Sequence, residues 1–193
     1  MTDWGRVIRC AAVGVGAAAL LAGCNDGGGT SSADSSPAAA TSTVAPAAPT
    51  SVNGCQLPQS VMNAEQIEPG PTNSDMDANG GIKFKGCIWT THDSDGFSVN
   101  VRSTNMTVQM VEKISDYKVG EHLTIDGRQA VTYYTSDQTD LRADCNINVA
   151  VKGGGLDILI DNPASRKATG TQDSCEIAKR IAGELVPTLP ASA

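Results

Sequence analysis

The sequence predicts an α+β domain, an antiparallel sheet with helices packed against it. Three observations predict it. Apolar and polar residues alternate in short stretches between about residues 82 and 160, the pattern of half-buried strands. Turn residues of the hairpin kind separate those stretches, Asp126-Gly127 above all. A capped amphipathic helix follows the last of them and is stopped by Pro187.

The elements run in order. Leu57 to Glu68 reads as a short helix: Pro58 suits its first turn, Leu57, Val61 and Ala64 share a face, and Pro69 with Gly70-Pro71 ends it. Residues 72 to 81 are turn-formers almost throughout. Then the period changes to two. Ile82, Phe84 and Ile88 alternate with Lys83, Lys85 and Cys87, and Phe97, Val99 and Val101 alternate with Ser98, Asn100 and Arg102. Asp93-Ser-Asp-Gly96 between them is a hairpin connection. Thr107 to Ser115 reads as a helix, with Met106, Met110 and Ile114 spaced by four. Leu123 to Asp126 and Gln129 to Thr135 flank the Asp126-Gly127 turn. Cys145, Ile147, Val149 and Val151 alternate with polar neighbours, and Leu156, Ile158 and Ile160 follow after Gly153-Gly-Gly155. The last helix begins at Asp173, which with Glu176 makes a capping-box pattern; Cys175, Ala178, Ile181, Ala182 and Leu185 form its apolar side.

Before this domain the chain is of two other kinds. Arg6 and Arg9 precede an apolar run of small residues, Ala11 to Leu21, too short for a comfortable membrane span. The run ends in Leu21-Ala22-Gly23-Cys24. This resembles the lipobox of bacterial lipoproteins, and the resemblance implies a diacylglyceryl group on the Cys24 thiol, cleavage before it and acylation of the new amine. Residues 1–23 are then a lipoprotein signal peptide. Two or three acyl chains anchor stably where one is marginal. Residues 24–53, the lipidated cysteine and an Ala/Ser/Thr/Pro/Gly tether, contain too little apolar surface to offset their ordering entropy. A coil of this length spans about 30 Å. Residues 54–190 remain as a single domain.

Charge narrows the partners. Without Asp3, Arg6 and Arg9 the mature chain keeps 12 basic and 20 acidic side chains, a net of −8, against 14 and 21 in the full chain. An acidic domain with few aromatics and no basic cluster is a poor nucleic-acid binder. The cysteines point to an oxidising compartment. Cys10 leaves with the signal and Cys24 carries lipid, so Cys55, Cys87, Cys145 and Cys175 remain, an even number in an exported domain. Four cysteines allow three pairings, and order alone does not choose. The pairing taken here is Cys55–Cys87 and Cys145–Cys175. These close two loops of similar size, and Cys145 shares the inward parity of Ile147 while Cys175 lies on the apolar face of the last helix. A four-cysteine zinc site lacks its close cysteine spacing.

Several short motifs occur in succession: Cys55-Gln-Leu, Gly86-Cys87-Ile-Trp89, Phe97-Ser-Val-Asn-Val101, Ile125-Asp-Gly127, Cys145-Asn-Ile-Asn-Val149 and Cys175-Glu-Ile-Ala-Lys-Arg180. The succession resembles an actinobacterial lipoprotein domain family of unknown function (LprB-like), over most of residues 54 to 186. The resemblance implies an actinobacterial cell envelope and no assigned activity, so no catalytic or ligand residue is carried over from it.

Read one by one, the chemical motifs weaken. DMDANGGIKFKG, residues 75–86, starts like a calcium loop: Asp75, Asp77 and Asn79 supply oxygens at positions 1, 3 and 5, and Gly80 follows. Position 12, where a bidentate Glu belongs, is Gly86, and a strand follows where a helix should. Asx and glycine residues favour turns for local reasons. Ser115-Asp-Tyr-Lys118 matches the S-x-x-K of penicillin-binding proteins without their companion elements. Lys152-Gly-Gly-Gly155 joins two strands, unlike a P-loop. His92 and His122 both read as solvated loop residues, Trp89 reads as core, and Asn105-Met-Thr107 is a glycosylation sequon by pattern only. The expectation is a membrane-anchored envelope lipoprotein on the extracytoplasmic face of the cell membrane. It has no cofactor, is not an enzyme, and binds an envelope protein or a hydrophobic ligand. The alternatives are an enzyme built on Asp93 and Asp95 with His92, and a purely structural surface antigen.

Overall fold

The computed structural model describes residues 44–193. The signal segment 1–23, Cys24 and the tether as far as residue 43 lie outside the described residues. In chain order the elements are α1 (Gln59–Ala64), β1 (Thr72–Asn73), β2 (Met76–Asp77), β3 (Lys83–Thr90), β4 (Ser98–Thr104), α2 (Val108–Val111), β5 (Tyr117–Ile125), β6 (Arg128–Thr135), β7 (Asp144–Val151), β8 (Gly154–Asp161) and α3 (Ser174–Leu185). The strands make one antiparallel sheet of eight in the order β1-β3-β4-β8-β7-β6-β5, with β2 also paired to β3. Strands β5 to β8 form a meander, and its last strand returns beside β4.

The predicted α+β class holds, and so do both disulfides. Cys55 bonds Cys87 and Cys145 bonds Cys175, with Cα–Cα separations of 4.9 and 5.0 Å that suit an unforced bridge. Asp126 and Gly127 both take left-handed φ, 46° and 75°, as a two-residue hairpin between β5 and β6 requires. The Asp173 side chain accepts from the amides of Cys175 (2.9 Å) and Glu176 (3.2 Å) and caps α3. The other half of the expected capping box is spent elsewhere: Glu176 pairs with Lys179 at 2.6 Å.

Helix α3 lies on one face of the sheet. Ile177, Ala178, Ile181 and Ala182 pack on Val99, Val101, Ile147, Val149, Ile158 and Ile160, all of them buried. Trp89 joins this core and donates its indole N–H to the carbonyl of Gly54 at 2.9 Å, beside the Cys55–Cys87 bridge. The sequence pattern suggests one buried face. The structure buries two. On the opposite face Phe84, Val131 and Tyr133 pack under Met106, Val108, Met110 and Val111 around α2.

That second face holds a buried charge pair. Arg102 donates from Nη2 (2.6 Å) and Nε (3.1 Å) to Oδ2 of Asp157, its cross-strand neighbour. The Tyr133 hydroxyl donates to Oδ1 of Asp157 at 2.6 Å. The guanidinium also sits 4.4 Å from the Phe84 ring centroid, a cation–π contact.

Four elements differ from the sequence reading, each for a local reason. The helix expected over 107–115 is a single turn, capped by Thr107, because the chain turns at Ile114 into β5. Strand β5 begins six residues before Leu123; as an exposed edge strand it needs no apolar alternation. The turn-former stretch 72–81 contains β1 and β2, short edge pieces on β3. The first helix ends at Ala64, because Gln66 is left-handed (φ 52°) and Ile67 bridges to Thr91. Within the stretch assigned to the tether, Val52 is buried in the helix-side core and Asn105 Nδ2 donates to the carbonyl of Ala45 at 2.6 Å.

Burial, and then the Asp157 charge, push the Tyr133 phenol well above its ordinary value of 10.0. The folded protein therefore keeps this proton where the unfolded chain gives it up. The resulting stability is complete below about pH 10 and is lost as pH rises further. Urea unfolding from pH 8 to 11 tests this. Tyr133→Phe is expected to cost about 1.5 to 3 kcal/mol at pH 8, the usual worth of a hydrogen bond to a charged group. The variant's alkaline loss of stability should be shallower than that of the native chain.

Candidate functional site

The loops at one end of the sheet enclose a cleft of about 240 Å³. Four segments build it: the exit of α1, the β3–β4 connection, the chain between β8 and α3, and α3 itself through Arg180. Ala64, Glu65, Gln66, His92, Phe97, Ala168, Thr169, Gln172 and Arg180 line it. The segments hold one another. The His92 amide faces the carbonyl of Gln66 at 3.4 Å, and Ala168 N–H donates to the carbonyl of Asp95 at 3.1 Å. Asn162 Nδ2 donates to the carbonyls of Thr169 (2.9 Å) and Gln172 (3.1 Å), while Thr169 Oγ1 donates back to Asn162 Oδ1 at 2.7 Å.

Two features set this cleft apart from ordinary surface. The first is a bidentate ion pair: Arg180 Nε and Nη2 donate to the two carboxylate oxygens of Glu65 at 2.5 and 2.7 Å. Glu65 is 5 % exposed, so Arg180 supplies hydrogen bonds that water does not reach to give. The Glu65 hydrogen bonds in turn raise Arg180 above its ordinary value. Glu184, one turn along α3, is shifted upward by burial and then by the Glu65 charge, and its Oε2 is buried without a hydrogen-bond partner. The second feature is backbone strain. Gln66 and His92 both line the cleft with positive φ, 52° and 53°, and Asp93 and Ser94 continue it at 51° and 67°. A left-handed non-glycine residue costs on the order of 1 kcal/mol. Such strain collects where surrounding contacts hold a side chain in a chosen place.

A larger depression, about 310 Å³, lies between α2 and the β5–β6 pair. Its charged groups are loosely held: His122 Nδ1 stands 3.7 Å from Glu112 Oε1, and both side chains are exposed. The hydrogen bond of Gln109 to Gln129 spans it at 3.2 Å. It lacks a buried charge and its helix is one turn long, so the cleft at Glu65 and Arg180 is the stronger candidate.

The residues singled out in the sequence fall as follows. Asp75 Oδ2 bonds Lys85 Nζ at 3.0 Å and Oδ1 accepts from Gly86 N–H at 3.0 Å; the lysine and then the amide hold its carboxyl below the usual range. Asp77 pairs with Lys83 at 3.1 Å. Asn79 sits in a 3-10 turn beside left-handed Gly80. The stretch is thus an edge strand and a turn whose carboxylates face lysines. Among the described residues no group of three or more His, Cys, Asp or Glu side chains is placed to hold a metal ion. Lys152-Gly153 is a hairpin turn between β7 and β8. The sequon residue Asn105 is buried, and its amide donates to the carbonyls of Ala45 and Gly81. Of the trio His92, Asp93 and Asp95, only His92 lines the cleft; Asp95 is exposed and 3.6 Å from Lys167. Sequence reading missed Glu65, Gln66, Gln172 and Arg180.

Removing Arg180 leaves the Glu65 carboxylate buried without its donors. Arg180→Ala is expected to lower the unfolding free energy by about 2 kcal/mol, a value kept modest because the guanidinium is partly solvated. A chemical denaturation curve measures it, and Glu65→Gln together with Arg180→Ala should recover part of the loss.

The sequence model of the family described as "Protein of unknown function (DUF3558)" matches residues 19–188, and the chain belongs to that family. No curated protein and no solved structure matches it.

Proposed function

We propose that this member of the DUF3558 family is a lipid-anchored binding module of the cell envelope, with the Glu65–Arg180 cleft as its recognition site. The reading rests most on one observation: an ion pair whose carboxylate is buried and two strained residues, Gln66 and His92, preform an open polar cleft. Preformed sites bind without paying again for ordering their side chains.

The anchor reading is supported by Leu21-Ala22-Gly23-Cys24, a stretch that lies inside the family match from residue 19. Among the described residues no helix is long and apolar enough to cross a membrane, which suits a domain held by acyl chains on Cys24. Paired cysteines suit an extracytoplasmic, oxidising location. Of the two ligand types expected from the sequence, an envelope protein or a hydrophobic ligand, the second has little room between sheet and helix. Ile147, Ile158, Ile160, Ile177 and Ile181 fill that space and are fully buried. Recognition therefore falls to the surface, where the cleft is polar. The catalytic alternative is weakened because Asp95, one of its carboxylates, is exposed and paired with Lys167 at 3.6 Å.

Two linked measurements test this. The full chain should fractionate with membranes, and Cys24→Ala should move it to the soluble fraction. A photo-reactive residue at Gln66 in the anchored chain should capture an envelope component that the same residue at Thr139 does not. A Cys24→Ala variant that stays on the membrane removes the anchor, and equal capture at both positions removes the cleft.

A further inference from the structure

From the chemistry of its walls, we propose that the cleft takes a neutral, hydroxyl-rich ligand, a single sugar unit of a larger glycan. The proposal rests on the reading of the cleft as a binding site and adds the class of ligand.

The unused hydrogen-bonding groups decide the class. Gln66 and Gln172 make no side-chain hydrogen bond among the described residues, and each amide offers both a donor and an acceptor. His92 adds a ring nitrogen of each kind when neutral. Arg180 commits Nε and Nη2 to Glu65, which leaves Nη1 as a donor. Planar groups of this sort, mixed in polarity, match adjacent hydroxyls, which donate and accept in turn.

Charge gives the commonest competitor, an anion, no net attraction. Glu65 and Arg180, the charged pair of its lining, cancel. Glu68 lies just outside, accepting from Thr90 Oγ1 (3.0 Å) and Ser94 N–H (3.1 Å). A phosphate, sulfate or carboxylate entering the cleft finds the one cation of its lining already paired with Glu65. Size argues the same way. About 240 Å³ is below the roughly 300–1,000 Å³ of pockets that enclose drug-sized ligands, and it suits one ring. Gln66 and Gln172 are exposed, so the rest of a chain has room outside the cleft.

The test is an amide NMR titration of the detergent-solubilised full chain. The probes are glucose, galactose, mannose, arabinose and N-acetylglucosamine, with galacturonate and inorganic phosphate as charged comparisons. At least one neutral sugar should give saturable shifts centred on Gln66, His92 and Gln172. Gln172→Ala, whose side chain is exposed, should weaken binding about fivefold, the worth of one hydrogen bond. Galacturonate and phosphate should bind more weakly than the neutral sugars. Absence of saturable shifts with every neutral sugar overturns the proposal, as does tighter binding of either anion or shifts centred elsewhere. If the sugars fail while the residue at Gln66 still captures an envelope component, the ligand class falls and the cleft stands.

Discussion

Everything at the candidate site depends on how α3 is seated. Its first turn is bonded to β7 through Cys145–Cys175, and its apolar side lies on Ile147 and Ile158. Asp173 caps that turn, and Ser174 is held by the Arg142 carbonyl through both its amide (3.1 Å) and its hydroxyl (2.6 Å). With the start fixed, the helical repeat brings Arg180 out on the side where α1 ends. There it meets Glu65, 115 residues earlier in the chain. The bridge near one end of the helix therefore fixes the position of a guanidinium more than a turn away. The chain entering α3 is fixed as well, because Asn162 ties it across Thr169 and Gln172.

The sheet beneath carries unlike chemistry on its two faces, and that difference protects its register. Val101 pairs with Ile158 on the helix side, while Arg102 pairs with Asp157 on the other. A slip of one residue in either strand would place Asp157 against the isoleucines of α3 and expose Ile158 to the polar cluster. A buried ion pair is weak evidence of stability, since its desolvation offsets much of its attraction. Here its clearer effect is to make every register but one costly. Tyr133, Phe84 and the strand order all converge on that pair.

Much of this was legible in the sequence, for physical reasons that also explain the rest. Strands β4, β7 and β8 show in the alternation because their helix-side residues must be apolar. Asp126-Gly127 shows because few other pairs take two left-handed residues in succession. The disulfides followed from two loops of similar size and, for the second, from parity, with Cys145 inward and Cys175 on the apolar side. Strand β5 was half hidden because an edge strand in water can carry Lys118, Glu121 and His122 as readily as a loop. The cleft was hidden altogether. Nothing in Gln66 signals a positive φ, since the strain is imposed by the Ile67–Thr91 bridge. Arg180 reads as an outward charge on a helix, and its partner lies at the far end of the domain's sequence.

Helix α3 is held to the sheet by the bridge at its first turn. The most direct measurement is native-state hydrogen exchange of the amides from Ile177 to Leu185, in the natural chain and in the double variant Cys145→Ala, Cys175→Ala. The bridge closes a separation of 30 residues, for which chain entropy gives about 3 to 4 kcal/mol. These amides should lose about that much protection and open before those of β4 and β8, with the resonances of Glu65 and Gln172 shifting in step. Unchanged protection of α3 in the double variant would contradict it, and the seat would then have to be sought in the apolar packing alone.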